Sequence, residues 1–429
     1  MKTCINPTPQ QWAALCQRPQ IAAENLEELT RQVFTEIQRN GDVAVAKYTG
    51  IFDGIVPNSL ALTAAEIAAG AQRTPAELQA AIQLAKANIE KFHTAQIEQK
   101  QIIETTPGVA CWRESRGIER VGIYIPGGSA PLFSTVLMLA IPAQIAGCKE
   151  IILCTPPDKQ GNINPAILYA AQLTGITAVY RVGGIQAIGA LAIGTQSIPK
   201  VDKIFGPGNQ YVTAAKQTAL NYGVAIDLPA GPSELLVIAD DTANPEYVAA
   251  DLLSQAEHGP DSQVILLSNS EVIVANTLKA IDKQVKALPR KEIALKALQN
   301  SKAIVLGTLA ECLDFSNAYA PEHLILNCRD AEKYGDKITN AGSVFLGNYS
   351  CESAGDYASG TNHTLPTNGY ARSYSGVSVD SFIKKITFQK ISKEGLQAIG
   401  PAIEAMAAAE QLQAHKNAVS IRLKDLKNV

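Results

Sequence analysis

Short apolar segments alternate with glycine-rich turns and helical patterns from Gly117 onward, and this alternation limits the possible folds more than any other feature of the sequence. The first series of predicted strands covers residues 121–125, 151–154, 178–182 and 203–205. A second series covers residues 235–239, 264–267, 303–306, 323–326 and 343–346. Strands that alternate with helices in this way form parallel sheets with helices on both faces. The sequence therefore predicts an α/β protein with two doubly wound, Rossmann-like domains that pack closely, because no linker rich in Ser, Gly and Pro separates the two series.

Helical patterns precede the first series of strands. Residues 25–39 carry an apolar stripe with the spacing of an amphipathic helix. Thr63 and Thr74 are each followed three residues later by Glu, so two capping boxes are expected, the second with Pro75 at the first helical position. His93 lies at the end of the second of these helices and is expected on the surface. The first hundred residues are thus predicted to be mostly helical.

Composition limits the kinds of partner that the chain can have. The 429 residues are 46% hydrophobic and 18% charged, which is typical of a globular chain with two or three domains, and the net charge of −3 leaves no general basic field for nucleic acid or anionic lipid. The sequence lacks the continuous apolar segment of a secretion signal or of a membrane span. Eight cysteines without a Cys-x-x-Cys pair suit a reducing compartment. We therefore expect a cytoplasmic protein that acts on a small molecule, with neither nucleic acid nor membrane as partner.

The segment from Asn244 to Gly259 carries signals for both ends of one helix. Asn244 is suited to the N-cap, Pro245 follows at the first helical position, and Gly259 suits a helix that ends at His258. Gln255 lies on the apolar stripe of this helix, with His258 one turn further on. An amide oxygen and an imidazole at this spacing can bind one metal ion, and the negative end of the helix dipole favours a cation. Alternatively, Gln255 can be hydrogen-bonded inside the fold while His258 caps the last carbonyls, so this segment alone leaves both interpretations open.

Four glycine-rich turns follow predicted strands or join the two series. They cover residues 124–130, 183–189, 206–209 and 229–234. Beyond the carboxyl ends of parallel strands, glycine turns let backbone N–H groups approach a phosphate. The third turn continues with Tyr211 where the dinucleotide fingerprint has its third glycine, so the standard fingerprint is absent. Each turn taken alone is also explained as an ordinary loop.

Polar residues are concentrated in three segments of the second half. Glu322 and His323 stand at the start of a predicted strand, where a carboxylate beside an imidazole can act as acid and base or can form a simple ion pair. Residues 352–363 form the second segment. The third contains a helix predicted over residues 393–414, in which Glu410 occupies a position on the apolar seam. Glu410 either needs a partner there or is exposed where the helix extends beyond its support.

The glycine turns and polar segments together resemble the motifs of one enzyme family. In chain order they read GIYIPGGSAPL, FGPGN, LPAGPSE, SQAEHGPDSQ, APEHL, ESAGDYASGTNH and AHKNAV. This series spans nearly the whole chain and is similar to that of the histidinol dehydrogenase family. The resemblance implies an intertwined homodimer with shared active sites and one Zn²⁺ per subunit. It also implies oxidation of L-histidinol via L-histidinal to L-histidine with two NAD⁺, in the last steps of histidine biosynthesis.

The resemblance assigns roles to individual residues. The zinc ligands would be Gln255, His258, Asp356 and His415. The catalytic pair would be Glu322 and His323, and the substrate would contact Ser233, His323, Glu410 and the four zinc ligands. NAD would contact Tyr124, Gln186 and Asn209. In this assignment Glu410 and His415 reach each site from the C-terminal helix of the other subunit.

The chemistry of these residue types agrees with the implied reaction. An imidazole such as that of His323 titrates near neutral pH, so it can take the proton of an alcohol and pass it on. The aldehyde must gain water before a second hydride can leave, and Glu322 can deprotonate that water. Four protein ligands already complete a tetrahedral zinc shell, so the substrate's imidazole and amino nitrogens would have to join it. The ligand types alone also fit a metal-dependent lyase or hydrolase, and the domain pattern alone fits a two-domain small-molecule binding protein.

The strand series and the resemblance together predict a chain of four parts. Residues 1–20 are expected to be an N-terminal helical extension. Residues 21–123 with 235–377 would form the zinc-containing catalytic α/β domain, and residues 124–234 the NAD-binding Rossmann-like domain. Residues 378–429 would form a C-terminal helical tail.

Overall fold

The computed structural model describes most of the chain, namely residues 1–19, 26–127, 131–229 and 231–427. Its contacts divide the chain into two units, the first formed by Met1–Ala95 with Ile118–Phe382 and the second by Gln96–Gly117 with Ile383–Val429. Three predicted features lie partly outside the described residues: the helix start at Asn25, the end of the first glycine turn at residues 128–130, and Ala230 in the fourth turn. Within the described ranges, no helix is long and apolar enough to cross a membrane.

The described residues form fourteen strands and sixteen α-helices, joined by loops and short 3-10 turns. The strands are β1 (Lys2–Ile5), β2 (Ile102–Thr106), β3 (Val109–Gly117), β4 (Arg120–Tyr124), β5 (Glu150–Thr155), β6 (Ala178–Arg181), β7 (Lys203–Phe205), β8 (Ala225–Ile226), β9 (Glu234–Ala239), β10 (Gln263–Ser268), β11 (Lys302–Val305), β12 (His323–Asn327), β13 (Ser343–Leu346) and β14 (Ile383–Ile391). The helices are α1 (Pro9–Leu15), α2 (Leu26–Asn40), α3 (Asp42–Phe52), α4 (Ala64–Ala71), α5 (Ala76–Thr94), α6 (Phe133–Ile145), α7 (Pro165–Leu173), α8 (Gly184–Ile193), α9 (Gln210–Ala219), α10 (Pro245–Ala256), α11 (Glu271–Gln284), α12 (Lys291–Gln299), α13 (Leu309–Tyr319), α14 (Glu352–Tyr357), α15 (Lys393–Ala409) and α16 (Gln413–Lys427).

The first unit contains a five-stranded parallel sheet with the order β6-β5-β4-β7-β8. The direction of winding reverses between β4 and β7, and ligands commonly bind in the crevice beyond the carboxyl ends of two such strands. Tyr124 ends β4, and Gly206 follows β7. A Cβ atom on Gly206, whose φ is +129°, would lie 2.0 Å from the carbonyl oxygen of Tyr124. Glycine is therefore required for the two strand ends to come this close.

The first unit also contains a six-stranded parallel sheet with the order β1-β11-β10-β9-β12-β13. Its winding reverses between β9 and β12, where His323 is paired with Leu235. Every residue of β9, β10 and β12 is buried, as expected for parallel strands covered on both faces. The apolar runs of the second series are therefore explained by burial on both sides of the sheet.

The prediction of two parallel sheets is confirmed. All nine predicted strands form, as β4–β7 and β9–β13, and their ends move by no more than one residue. The prediction missed β1, β2, β3, β8 and β14. Strand β1 joins the edge of the six-stranded sheet, so the interval predicted as a helical extension holds both a strand and α1. The division of the chain into catalytic and NAD-binding domains stays a prediction.

Helix α10 begins where the sequence predicts and ends earlier. The side chain of Asn244 accepts a hydrogen bond from the N–H of Glu246 at 3.0 Å, which confirms the N-cap. The helix ends at Ala256 rather than at His258. The N–H of His258 donates to the carbonyl of Gln255 at 3.3 Å, so His258 lies in the turn after the helix.

Helix α5 differs from its prediction at both ends. The capping box at Thr63 is present in α4, but the one expected at Thr74 is not, because Pro75 is the N-cap of α5 and no side chain caps it. His93 is fully buried and not on the surface, whereas the neighbouring Phe92 is 47% exposed. The next buried residue after Ile89 is His93, four positions on, and not Phe92, three positions on. Nδ1 of His93 lies 2.9 Å from the carbonyl oxygen of Ile89.

The second unit combines a three-stranded antiparallel sheet with two C-terminal helices. Strand order is β14-β3-β2, and the tail predicted to be helical therefore contains the nine-residue strand β14. The single helix predicted over residues 393–414 is divided, because α15 ends at Ala409 and Gln411 has a φ of +61°. A residue with this backbone conformation cannot continue a right-handed helix. Helix α16 then starts at Gln413.

Candidate active site

The side chains of Glu322 and His323 meet the backbone of Glu234 at the amino ends of β9 and β12. The N–H of Glu234 donates to Oε2 of Glu322 at 2.8 Å, and Nδ1 of His323 lies 3.2 Å from the carbonyl oxygen of Glu234. Both contacts follow from the register, since His323 is paired with Leu235, the residue after Glu234. Both side chains are buried. The predicted catalytic pair is therefore held by the central strands of the six-stranded sheet.

A partly buried ion pair fixes the side chain of Glu234. Arg18 donates from Nε and Nη2 to the two carboxylate oxygens, at 2.6 and 2.9 Å. The guanidinium also donates to the carbonyl oxygen of Tyr319 at 2.8 Å and stacks 3.9 Å from the centre of its ring. The N–H of Asn368 adds a further hydrogen bond to Glu234 at 2.8 Å. With both carboxylate oxygens occupied, Glu234 supports the position of its neighbours instead of taking part in proton transfer.

His258, Glu352 and Asp356 form a group that can hold a metal ion. One ligand atom from each residue lies within 4.8 Å of the others. His258 comes from the turn after α10, while the two acids come from α14. The structure thus brings together two of the predicted zinc ligands, His258 and Asp356, and adds Glu352, for which the sequence suggested no role. His363 supports this arrangement, because its Nδ1 lies 2.9 Å from the carbonyl oxygen of Asp356.

The amide of Gln255 borders this group. The amide atom that faces Glu352 lies 2.5 Å from Oε1 of that carboxylate. When this atom is nitrogen, the amide donates to Glu352 and its oxygen accepts from the N–H of Glu234 at 3.2 Å. When it is oxygen, as metal ligation through the amide requires, two oxygens face each other, and a cation or a proton must relieve their repulsion. In that orientation Nε2 donates to Oε2 of Glu322 at 3.3 Å.

The electrostatics of the cluster follow from its burial. Removal from water raises the pKa of Glu322 to about 7 and the pKa of Glu352 to about 8. Burial also disfavours the imidazolium form of His323, but the surrounding carboxylates outweigh this effect and raise the pKa of the imidazole to about 10. Nε2 of His323 lies 3.7 Å from Oδ1 of Asp356 and has no hydrogen-bond partner among the described residues. A divalent cation in this cluster would replace protons as the compensating charge.

Two cavities adjoin the cluster. His258 and Ser233 line a cavity of about 1070 Å³. Ser233 and Glu322 line a second cavity of about 220 Å³, together with His363. Asn209 borders both cavities from the N-terminus of α9, where its side chain accepts from the N–H groups of the first turn at 3.1 and 3.2 Å. Of the residues predicted to contact substrate in the first unit, Ser233 and His258 line these cavities.

A third cavity of about 580 Å³ lies at the reversal of the five-stranded sheet. Tyr124, Gly184 and Asn209 are among its lining residues. The N–H of Gly184 donates to the hydroxyl oxygen of Tyr124 at 3.1 Å. Gln186 is buried beside it on α8, where Nε2 donates to Oδ2 of Asp53 at 3.1 Å and Oε1 has no partner among the described residues. Two of the three predicted NAD contacts, Tyr124 and Asn209, therefore line this cavity, and the third, Gln186, contacts its lining residue Asp53.

Glu410 and His415 belong to the second unit. Glu410 is the C-cap of α15, so it ends the apolar seam instead of continuing it, and His415 lies in the first turn of α16. Both side chains are exposed in the single chain. Their predicted contacts with zinc and substrate stay predictions.

The fold and the site together define a doubly wound α/β protein with a candidate metal group beside a dinucleotide-type cavity, an arrangement suited to a metal-dependent dehydrogenase. The sequence profile of histidinol dehydrogenase matches residues 16–423. The chain therefore belongs to the histidinol dehydrogenase family.

Individual relatives agree over their full lengths. Histidinol dehydrogenase from Bacteroides thetaiotaomicron is 57% identical over 427 residues, with 100% of each chain covered. The enzyme of that name from Escherichia coli (strain K12) is 52% identical over 423 residues, which cover 98% of this chain and 96% of the relative. The crystal structure of histidinol dehydrogenase from Elizabethkingia anophelis superposes with a TM-score of 0.98 at 65% identity and covers 100% of this chain and 99% of that one.

Two residues of the site region carried no role in the sequence reasoning. Glu352 is buried within the metal group, and the only signal for it was its place in the polar segment of residues 352–363. Asp53 lines the third cavity and is the C-cap of α3, and it lies outside every sequence motif named above. No sequence pattern singled out Asp53, because its importance comes from a contact with Gln186 across 133 residues.

Proposed function

We propose that this protein oxidises L-histidinol via L-histidinal to L-histidine, using two NAD⁺ and one zinc ion per subunit, as the last steps of histidine biosynthesis. Membership of the histidinol dehydrogenase family over residues 16–423 supports the reaction. The position of Asn209 supports the arrangement of the site. It borders the cavity of Tyr124 and also the cavities that reach Glu322 and His258. A dinucleotide beside Tyr124 can therefore extend toward a substrate beside the catalytic pair.

The two catalytic residues have separate tasks in this proposal. His323 takes the proton of the substrate hydroxyl in the first oxidation and releases it afterwards; this requires the neutral imidazole, which would form when a cation, instead of a proton on His323, offsets the charge of the neighbouring carboxylates. Its Nε2, which has no hydrogen-bond partner among the described residues, is available for this contact. Glu322, next to His323 and bordering the 220 Å³ cavity, deprotonates the water that adds to the aldehyde. A carboxyl whose pKa burial raises to about 7 is suited to take up and release a proton near neutral pH. NAD, when bound, accepts the hydride in each oxidation.

The residues present fit a zinc ion in part within the first unit. His258 and Asp356 offer nitrogen and oxygen ligands within 4.8 Å of each other, and these are ligand types that zinc accepts. Gln255 would complete three ligands, with its amide oxygen turned toward the group. Glu352 then accounts for the charge balance, because a buried carboxylate beside the ion offsets its charge. The ion would hold the substrate by its imidazole and amino nitrogens.

The fourth ligand is proposed to come from a second subunit. His415 and the substrate contact Glu410 lie on exposed parts of α16 and at the end of α15. An isologous dimer would place each tail in the site of its partner, and each site would then be made by two chains. The enzyme is proposed to work in the cytoplasm, in keeping with eight cysteines that form no disulfide in the described residues.

The direct test is the appearance of NADH absorbance when the purified protein is given L-histidinol and NAD⁺. Two NADH per L-histidinol are expected, with L-histidine as product. Conversion without NADH would favour the alternative of a metal-dependent lyase or hydrolase. Binding without conversion would favour a small-molecule binding protein.

A further inference from the structure

The cavity of about 580 Å³ at the reversal of the five-stranded sheet has an apolar lining that suits a flat ring. Its aromatic and proline side chains are Phe52, Tyr124, Tyr211, Pro126, Pro156 and Pro157. Phe52 and Tyr211 are 44% and 43% exposed, so their rings offer contact surface to a ligand. Aromatic faces of this kind stack on nucleobases. The lining therefore fits the adenine end of a dinucleotide.

Asp53 is the one charged residue in the described lining of this cavity. Its Oδ2 accepts from Nε2 of Gln186 at 3.1 Å. This donor orients the carboxylate. A carboxylate offers about four acceptor sites, so lone pairs remain for further donors. The two hydroxyl groups of a ribose are donors of the required kind.

The described part of the lining also lacks a counter-charge for an added phosphate. No lysine or arginine is among the described lining residues. A phosphate on the 2′-oxygen of the ribose would bring close to two negative charges toward the Asp53 carboxylate. Dinucleotide sites that accept the 2′-phosphate commonly provide an arginine nearby. Here the available charge has the opposite sign.

We infer that Asp53 determines the choice of dinucleotide, by accepting hydrogen bonds from the adenosine ribose of NAD and repelling the 2′-phosphate of NADP. The inference rests on the proposed function, because it places NAD in the cavity beside Tyr124. It assigns Asp53 to specificity and leaves the chemistry to Glu322 and His323. Through Gln186, the same carboxylate also positions one of the predicted cofactor contacts.

The test measures binding by calorimetry, so it does not depend on turnover. Dissociation constants of NAD, NADP and NAD without the adenosine 2′-hydroxyl are compared for the unaltered protein and for Asp53→Asn. The unaltered protein should bind the deoxy form roughly tenfold more weakly than NAD, as expected for the loss of a hydrogen bond to a charged group. It should bind NADP more weakly still. In Asp53→Asn the NADP-to-NAD ratio of dissociation constants should fall at least about tenfold, mainly through tighter NADP binding.

Asp158→Asn is the matched control, since it removes the same charge from an exposed loop next to Pro157 without altering the lining. The NADP-to-NAD ratio of dissociation constants of Asp158→Asn should equal that of the unaltered protein. An unchanged ratio in Asp53→Asn, with NAD still bound, would overturn the inference and leave the proposed function intact. Equal binding of NAD and its deoxy form by the unaltered protein would overturn it without any variant. Absence of NAD binding altogether would overturn the proposed cofactor and the inference together.

Discussion

Lys216 and Asp227 form an ion pair that is closed off from solvent beneath the turn at Gly206. Nζ of Lys216 also donates to the carbonyl oxygen of Gly206 at 2.9 Å, and Oδ2 of Asp227 accepts from the N–H of Gly206 at 2.8 Å. The two charges therefore hold both backbone groups of one glycine. That glycine lies where β4 and β7 approach each other, and it lines the cavity of about 220 Å³ that Glu322 borders.

Replacement of Lys216 by Met should lower the free energy of unfolding by about 3–5 kcal/mol, because the buried carboxylate of Asp227 loses its partner. The double variant Lys216→Met, Asp227→Asn should recover part of the loss. Lys149→Met is the control, since that lysine is 75% exposed in its pair with Glu119 and its removal should have little effect. Thermal melting measures all three. If Lys216→Met were as stable as Lys149→Met, the ion pair of Lys216 and Asp227 would not stabilise the turn.

Replacement of His258 by Asn should lower zinc content and activity together, because one ligand of the proposed site is lost. Metal analysis of the purified variant and the NADH assay are the two measurements. An unchanged melting profile of the metal-free proteins would show that the fold is intact. Full zinc content with full turnover would contradict the proposed ligand role.

Replacement of Glu322 by Gln should spare the oxidation of the alcohol more than the oxidation of the aldehyde, since only the second step needs an activated water. A single-turnover trace should show one NADH per site promptly and the second with a strong delay. His323→Asn should slow both steps. Equal slowing of both steps by Glu322→Gln would instead indicate a general role in positioning or proton transfer.

Mixed dimers test whether the C-terminal helices act in the partner's site. Chains with Glu322→Ala and chains with His415→Ala are co-expressed with two different tags, and the mixed dimer is purified. If the tail acts in trans, one site of each mixed dimer has both intact parts, so activity should reach about half of the unaltered value per dimer. If the tail serves its own chain, every site keeps one defect, and the mixed dimer stays as inactive as the parents.

The stability of the protein should depend on the titration of Asp251. Burial raises the pKa of this carboxyl to about 7, against the opposing effect of Asn327, whereas the unfolded chain loses the proton near pH 3.9. Its contribution to stability is therefore complete below about pH 4 and is lost as the pH rises toward 7. Asp251→Asn should gain stability relative to the unaltered protein over that interval, by up to about 4 kcal/mol. Melting temperatures across the interval check this, with Asp282→Asn on the exposed side of α11 as the control.

The parallel strands could be predicted because burial on both faces leaves a continuous apolar run for each one. The crevice between β4 and β7 followed from the rule that ligands gather beyond carboxyl ends, and Tyr124 and Asn209 do lie there. Strand β14 was not predicted because none of its residues is buried and its apolar residues do not alternate strictly with polar ones. Strands that are buried on both faces can therefore be predicted from the sequence, whereas an exposed strand such as β14 cannot.

From the sequence, Glu322 and His323 could be predicted only as two adjacent residues, without the other side chains that surround them in the structure. It lies at the amino ends of β9 and β12, the side of a sheet that the carboxyl-end rule does not favour. Its other members come from distant segments, with Arg18 reaching Glu234 across 216 residues. Such contacts are set by packing between elements, and no local pattern encodes them.

The pairing of β1 with β11 has a consequence for synthesis of the chain. Residues Lys2–Ile5 are synthesised before their partners Lys302–Val305, which follow only after about 300 further residues. At ~5–20 residues per second, that interval lasts roughly 15–60 s. During this time the N-terminal segment has no strand to join, and nascent β9 and β10 expose open backbone edges. Completion of the six-stranded sheet is therefore a late event in translation, and chains released early should be recruited by chaperones or aggregate.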